Sequence, residues 1–360
     1  MPPSLSPLRL LFVSTSVGPL GSGVGGGVEL TLQNLAQELQ QRGHRVEVVA
    51  PAGSRAAGLS LVPIDGAVQP MAQSQQRDAP SVLPPNSVLA HMWDYARTAQ
   101  HRYDLVLNFA YDWLPFYLSP FFHCPVAHLV SMGSLSEAMD AAIGAVVERA
   151  PATVAMHSRA QAATFVWGDR PRILGNGFDL SQYKVCLSPA PYLGWVGRIA
   201  PEKGLEDAIA ASTKAGLPLH IWGAMTGEDY WHQLQQQHPD SSYQYQGFVP
   251  TQQLQQALGR CRGLLVTPKW VEAFGNVVIE ALACGVPVIA YRRGGPAELV
   301  EDGVTGWLVE PDSVLELERA IARLDAIDRL TCRQRAEAQY SNRAMGDRVE
   351  AWFRDILRSH

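Results

Sequence analysis

The sequence predicts an α/β protein of two doubly wound, parallel-sheet domains facing a central cleft. Three observations predict it. The chain has 360 residues, 47% apolar and 18% charged, enough to bury two cores. Short apolar runs alternate with segments of helical period. The order strand, loop, helix, strand opens at Leu8 and starts afresh at Tyr192. In such sheets ligands bind outside the carboxyl ends of the strands.

The elements follow in order. Leu8–Ser14 reads as a strand and is followed by the glycine-rich loop Gly18–Gly27. Residues 28–42 read as a helix, with Val28, Leu32, Leu35, Ala36 and Leu39 in one stripe and Gly43 as its stop. Val46–Ala50 is the second strand. Residues 51–87 are rich in Pro, Gln, Ser and Gly and read as irregular, with a weak strand signal at Leu61–Ile64. A helix over Ser87–His101 leads to strands at Leu105–Phe109, Val126–Ser131, Ala152–Met156 and Arg172–Leu174. Residues 178–191, ending in Pro189-Ala-Pro191, look like a linker. Strands are expected next at Tyr192–Val196, Leu219–Trp222, Gln244–Gln246, Gly263–Val266 and Pro287–Tyr291. Helices are expected at Leu205–Ala215, Thr251–Leu258 and Val277–Ala283, and Met345–Leu357 reads as an amphipathic helix.

Composition excludes several classes. A formal net charge of −5 argues against a broad nucleic-acid surface. Five scattered cysteines without a CxxC pair exclude a zinc ribbon or disulfide framework and suit a reducing cytoplasm. The start MPPSLSPLRLLFVSTS reads as an irregular lead into the first strand, not a signal peptide, and no apolar run reaches membrane-spanning length.

Four segments carry chemistry. In VEAFGNVVIEALACGVPVIA, Glu280 interrupts an apolar helix and Glu272 precedes its glycine-containing start, Phe274-Gly275-Asn276. Carboxylates accept paired hydroxyls, and a helix start suits an anion. The loop Gly197-Arg198-Ile-Ala-Pro-Glu-Lys203-Gly204 sets two cations at a strand end, which suits a diphosphate. The first loop contains Gly21-Ser-Gly23-Val-Gly25-Gly26, a literal GxGxxG string, with Glu47 where a ribose-binding acid is wanted. It begins several residues after its strand, so contact with a nucleotide sugar, a dinucleotide site and a ligand-free loop all stay open. Gly294-Gly295-Pro296-Ala297-Glu298 is a further glycine turn.

In this order the segments resemble retaining, GT-B-type glycosyltransferases of the large family 4, across nearly the whole chain. Asn176-Gly177-Phe178-Asp179 and the stretch GGVELTLQNLAQELQQRGHRVEVV add to the likeness. The resemblance implies an acceptor-binding Rossmann-like domain over 1–185 and a donor-binding one over 186–342. A terminal helix, 343–360, crosses back to the first. It implies that Arg198 and Lys203 bind the donor diphosphate and that Glu272, with Phe274, Gly275 and Asn276, binds the donor sugar. Glu280 would hold the ribose, and Gly197, Gly25, Gly26, Phe248 and Val249 would line the donor. Arg198, Lys203 and Glu272 would be the catalytic set. No cofactor beyond a nucleotide-sugar substrate is implied. The chain has no Asp-x-Asp, so no metal clamp is expected.

The chain departs from the pattern near the acceptor. Ser131 stands where relatives carry a histidine, and His128 lies three residues earlier, aimed by alternation at the other face. Tyr111-Asp112-Trp113 replaces a His-Asp-Trp element. Tyr111, Asp112, Trp113, His128 and Ser131 are the candidate acceptor contacts, with His128 read first as a satisfied core residue. Size, glutamine content and the Ser-Met-Gly-Ser segment resemble cyanobacterial pteridine glucosyltransferases, which implies UDP-glucose as donor and tetrahydrobiopterin as acceptor. Trp93, Tyr111 and Trp113 could stack such a ring. The competing readings are a catalytically silent nucleotide-sugar binder and an NAD-dependent dehydrogenase.

Overall fold

The computed structural model describes residues 6–72 and 76–360, so the expected irregular start lies partly outside the described residues. Strands and helices run in chain order. They are β1 (Arg9–Val13), α1 (Gly27–Gln41), β2 (Arg45–Pro51), β3 (Ser60–Ile64), α2 (Val88–Ala99), β4 (Leu105–Asn108), α3 (Trp113–Leu118), β5 (Val126–Val130), α4 (Glu137–Arg149), β6 (Val154–Met156), α5 (Arg159–Ala162) and β7 (Arg172–Ile173). Then come β8 (Leu193–Val196), α6 (Leu205–Lys214), β9 (Leu219–Trp222), α7 (Glu228–Gln237), β10 (Tyr243–Tyr245), α8 (Thr251–Gly259), β11 (Gly263–Val266), α9 (Asn276–Ala283), β12 (Val288–Tyr291), α10 (Pro296–Leu299), β13 (Gly306–Val309), α11 (Val314–Ile321), α12 (Arg329–Tyr340) and α13 (Asn342–Ser359).

The chain divides into two units. One runs to Phe178 and takes up Asn342–His360; the other is Asp179–Ser341. In the first, a parallel sheet runs β3-β2-β1-β4-β5-β6-β7. Its order reverses between β1 and β4, whose register places Val13 beside Asn108. The weak signal at residues 61–64 is a real strand, paired in parallel with β2. The helix α13 completes this unit. Met345, Val349, Trp352, Phe353 and Ile356 are buried in one cluster with Leu32, Leu35 and Leu39 of α1. Full burial of each large apolar side chain contributes about 1.5–3 kcal/mol. Arg42, after α1, binds Asp347 at 2.8 Å and Glu350 at 3.1 Å. His44 accepts from the Leu8 amide at Nδ1, so its Nε2–H donates to Glu350 at 3.0 Å.

The second unit has the order β10-β9-β8-β11-β12-β13, all pairs parallel. Its reversal lies between β8 and β11. Residues 179–191, linker-like in composition, are tied into this unit. The Lys184 amide bonds Gln255 at 3.2 Å, the Cys186 amide the Cys284 carbonyl at 3.2 Å, and the Ala190 amide the Arg260 carbonyl at 2.8 Å. The strand β13 was not anticipated; at four residues with a leading glycine it offers little pattern.

Candidate active site

The second unit gathers its candidate residues at the β8/β11 reversal. The loop after β8 carries Arg198 and Lys203, and the loop after β11 carries Glu272. Lys203 Nζ donates to Glu272 Oε2 at 2.5 Å. The same oxygen accepts from the Trp270 indole at 3.1 Å, and the ammonium lies 5.3 Å from the Trp270 ring centroid. Arg198 pairs with Glu202 at 2.9 Å. The Lys203 and Glu272 side chains are 19% and 23% exposed, so solvent and solutes reach the pair.

Close backbone approach holds these loops in place. Gly204 has φ 63°, and a Cβ there would stand 2.0 Å from the Thr267 carbonyl oxygen. Thr267 Oγ1 donates to the Gly204 carbonyl at 2.7 Å, and the Lys269 amide to the Glu202 carbonyl at 2.9 Å. The Gly294-Gly295 turn has the same task. The Gly295 amide donates to the Glu272 carbonyl at 2.7 Å, and a Cβ on Gly295 would meet the Phe274 oxygen at 2.3 Å. Behind the site, Lys269 bonds Asp207, and Asp312 at 3.0 Å. The Tyr291 hydroxyl donates to Asp207 at 2.5 Å. Arg293, beside Asp312, and Lys269 hold the Asp312 carboxyl down at about 2.

Gly275 opens α9 in the left-handed region, at φ 99°. Val278, Ile279, Ala281 and Leu282 face inward, while Asn276, Val277 and Glu280 share a partly covered face. Loss of solvation lifts the Glu280 carboxyl to about 6, against a hydrogen bond from the Tyr183 hydroxyl at 3.3 Å that lowers it. Gly197, Gly223 and Gly247 line up after β8, β9 and β10. The Gly197 amide donates to the Trp222 carbonyl, and the Gly223 amide to the Gly247 carbonyl, both at 3.0 Å. Phe248, just beyond, is 75% exposed, and Val249 is half-buried.

The first unit treats its glycine loop differently. The buried Glu29 carboxylate, on α1, accepts the amides of Gly21 at 2.6 Å, Gly23 at 3.2 Å and Gly25 at 2.6 Å. The Gly26 amide donates to the Gly23 carbonyl at 3.1 Å. The amides of Gly25 and Gly26, expected to face a donor, are thus engaged within the chain. A pyrophosphate at this loop would displace or meet a carboxylate, which removes the support for a dinucleotide site there. Glu47 is also committed, to the Tyr95 and Tyr103 hydroxyls at 3.2 and 2.8 Å.

The candidate acceptor residues divide. His128 is fully buried, with Nδ1 3.1 Å from Asn108 Nδ2, Nε2 2.7 Å from Ser119 Oγ, and its ring stacked on Phe116 at 4.3 Å. Burial lowers its pKa to about 3, so it is a neutral core residue with no exposed atom. Trp93 is likewise buried and cannot stack a ligand. Ser131 is half-buried just past β5. Tyr111 spends its hydroxyl on the Gly133 carbonyl at 3.0 Å, fixing that turn. Trp113 stacks on Tyr117 at 4.5 Å. Asp112, half-buried at the β1/β4 reversal, accepts from Gln69 at 3.2 Å, and burial lifts its carboxyl to about 6.

Trp270, Glu202, Tyr183, Glu29 and Gln69 were missed as site residues by sequence reasoning. Trp270 and Glu202 adjoin the recognised motifs and could have been found there. Tyr183 and Gln69 sit in irregular segments without a periodic signal.

Among the described residues, no helix is long and apolar enough to cross a membrane. Comparison with known proteins gives the following. Residues 25–182 match the family described as Glycosyltransferase Family 4, and residues 187–341 match Glycosyl transferases group 1. The D-inositol 3-phosphate glycosyltransferase of Nocardia farcinica is 27% identical over 382 residues, 88% of this chain and 82% of that protein. The sucrose synthase of Acidithiobacillus caldus is 53% identical over 51 residues, a local match to 14% of this chain and 6% of that protein. The Anabaena protein HepE in complex with UDP superposes with a TM-score of 0.76 at 21% identity, covering 98% of this chain and 100% of that one. HepE has also been solved with UDP-glucose, at TM-score 0.71 and 22% identity, with the same coverage.

Proposed function

We propose that this chain, a GT-B glycosyltransferase of the family-4 type, moves a glucosyl group from UDP-glucose to a small-molecule acceptor with retention of configuration. The observation that carries the reading is the Lys203–Glu272 pair at the β8/β11 reversal, with Arg198 on the same loop. The UDP and UDP-glucose complexes of HepE support the choice of donor.

In this reading the second unit binds the donor and the first the acceptor. Without donor, Lys203 and Glu272 satisfy each other. As the diphosphate arrives, Lys203 turns to it, and Glu272 is released to accept hydroxyls of the sugar. Arg198 leaves Glu202 and grips the phosphates bidentately. Both cations then stabilise the charge that builds on the leaving diphosphate as the C1–O bond breaks. The acceptor oxygen bonds to C1 on the same face and gives its proton to the departing phosphate oxygen, so no enzyme nucleophile is needed. Because two side-chain cations balance the diphosphate, the reading requires no metal. Glu280 takes the ribose hydroxyls, and Phe248 and Val249 border the base.

The acceptor we propose is a pterin of the tetrahydrobiopterin type. The setting we propose is the cytoplasm; the unpaired cysteines support it, as a reducing compartment keeps thiols free.

Melting temperature with UDP, GDP, ADP, dTDP and NAD, first without and then with magnesium, tests the donor. A ligand that binds only the native state raises the transition. A selective, metal-independent shift with UDP is expected, and radiolabelled UDP-glucose with tetrahydrobiopterin then tests transfer. A shift with NAD alone would overturn the assignment. UDP-glucose binding without transfer to any of a broad set of acceptors would leave a silent binder.

A further inference from the structure

The first unit holds polar atoms without a task at its sheet reversal. Gln69 is 6% exposed. Its amide N–H donates to the Ser16 carbonyl at 2.9 Å, and its Nε2 donates to Asp112 Oδ2 at 3.2 Å. Its Oε1 is buried and has no hydrogen-bond partner among the described residues. The Ser14 hydroxyl, just past β1, is also buried without a partner among the described residues. Buried polar atoms are nearly always satisfied, and the exceptions call for an explanation. Asp112 has no ion-pair partner among the described residues; burial lifts its carboxyl to about 6, so it stays mainly ionised at neutral pH. Arg77, which acts on Tyr111 nearby, is already committed to Asp140 at 2.8 Å and to the Ser134 carbonyl at 3.0 Å.

With one of its two N–H groups on the Asp112 carboxylate, the Gln69 carboxamide offers a ligand its unpartnered carbonyl oxygen and one remaining N–H. Beside it, the Asp112 carboxylate, which already accepts from Gln69 and from the Trp113 and Leu114 amides, keeps about one of its four acceptor positions. Such a pair favours O–H or N–H donors over an anion, because a phosphate placed there would face the Asp112 charge, which no cation among the described residues pairs. We propose that Gln69 and Asp112 recognise an uncharged acceptor through its hydroxyl or amino groups, and that a phosphorylated acceptor is refused. This rests on the glycosyl-transfer reading above. It sets the chain apart from the relative named for D-inositol 3-phosphate, despite 27% identity.

The experiment uses full-length protein labelled with 15N in its glutamine side chains and held with UDP. The Gln69 carboxamide signal is assigned by its loss in Gln69→Leu, with Gln69→Met as a second variant should the first fail to fold. Tetrahydrobiopterin, myo-inositol and D-myo-inositol 3-phosphate are titrated in turn. The expected result is a saturable shift of the Gln69 signal with at least one uncharged probe and none with the phosphate. A shift with the phosphate, or with no probe at all, overturns the proposal. Where transfer is measurable, Gln69→Leu should raise the acceptor KM at least tenfold with kcat and UDP affinity little changed; an unchanged acceptor KM overturns it. Failure of UDP to stabilise the wild-type protein would instead sink the donor reading, leaving the Gln69 signal to judge this one.

Discussion

The loops after β1 and after β8 occupy the same place in their sheets, yet they handle charge in opposite ways. The β1 loop turns backbone amides inward around Glu29, an anion the chain supplies itself. The β8 loop presents side-chain cations and pairs them with Glu202 and Glu272. Glu29 is 5% exposed, whereas the Lys203–Glu272 pair remains open to solution. A partly exposed ion pair contributes little net stability and exchanges easily. A buried carboxylate with three amide donors does not. The difference teaches that glycine content alone does not mark an anion site; what matters is whether the anion already belongs to the chain.

The strongest way to break this contrast is Lys203→Ala. Turnover should fall at least a hundredfold, on the order of 3 kcal/mol, and the UDP-induced rise in melting temperature should vanish. The unliganded melting temperature should hardly move. Activity near wild type would mean that the pair is only surface decoration. Glu29→Ala should behave in reverse. It strips three amides of their acceptor, but Gly21 and Gly23 are exposed, so water takes up part of the loss, and urea unfolding should show a loss of roughly 1.5–3 kcal/mol, the worth of a hydrogen bond to a charged group. Faster hydrogen exchange at Gly21, Gly23 and Gly25 should accompany it. Unchanged stability would show that the loop does not depend on its internal anion.

Arg198→Lys sharpens the comparison by keeping the charge and removing the planar fork. A ten- to thirtyfold drop in kcat/KM, about 1.4–2 kcal/mol, is expected; equal activity would reduce Arg198 to a point charge. The smallest effect is pH-dependent. The Glu280 carboxyl is raised to about 6 in the folded protein, so folding opposes its ionisation. Its ionised form costs stability as pH rises from the usual carboxylate range through about 6, and none is lost below that range. Ribose hydroxyls stabilise the ionised form, so binding lowers this pKa. UDP-glucose affinity should therefore weaken as pH falls through 6, by up to about tenfold, and Glu280→Gln should flatten that profile. Calorimetry between pH 5 and 8 reads it directly, because the donor's own diphosphate does not titrate there.

The regular part of this molecule was legible because its residues repeat. The stripe from Leu32 to Leu39, the short apolar strands and the α9 helix announce their period. Site residues were legible where chemistry and position coincide, as with Lys203 directly after a strand. Legibility failed where context decides. β3 is a half-exposed edge strand holding Pro63, so its polar and apolar faces differ little. Gln69 lies in a segment with many glutamines, and only the fold sets it beside Asp112. Glu29 stood only within the stretch that resembles the family's opening, because nothing in its spacing reveals that three glycine amides converge on it. The Gly294-Gly295 turn gave a weak signal for a related reason: its purpose is to let one backbone touch another far away in sequence.

The return of α13 has an architectural consequence. The second unit is a guest threaded into a host, entered at Phe178 and left at Asn342. Those two crossings are stitched together, since the Asn342 amide donates to the Phe178 carbonyl at 3.0 Å. A peptide bridge of a few residues could therefore close the host after excision of its guest, while clipping α13 would strip the host of the buried Trp352 and Phe353. The fold is modular by insertion rather than by concatenation, and the tail of the sequence maintains its beginning.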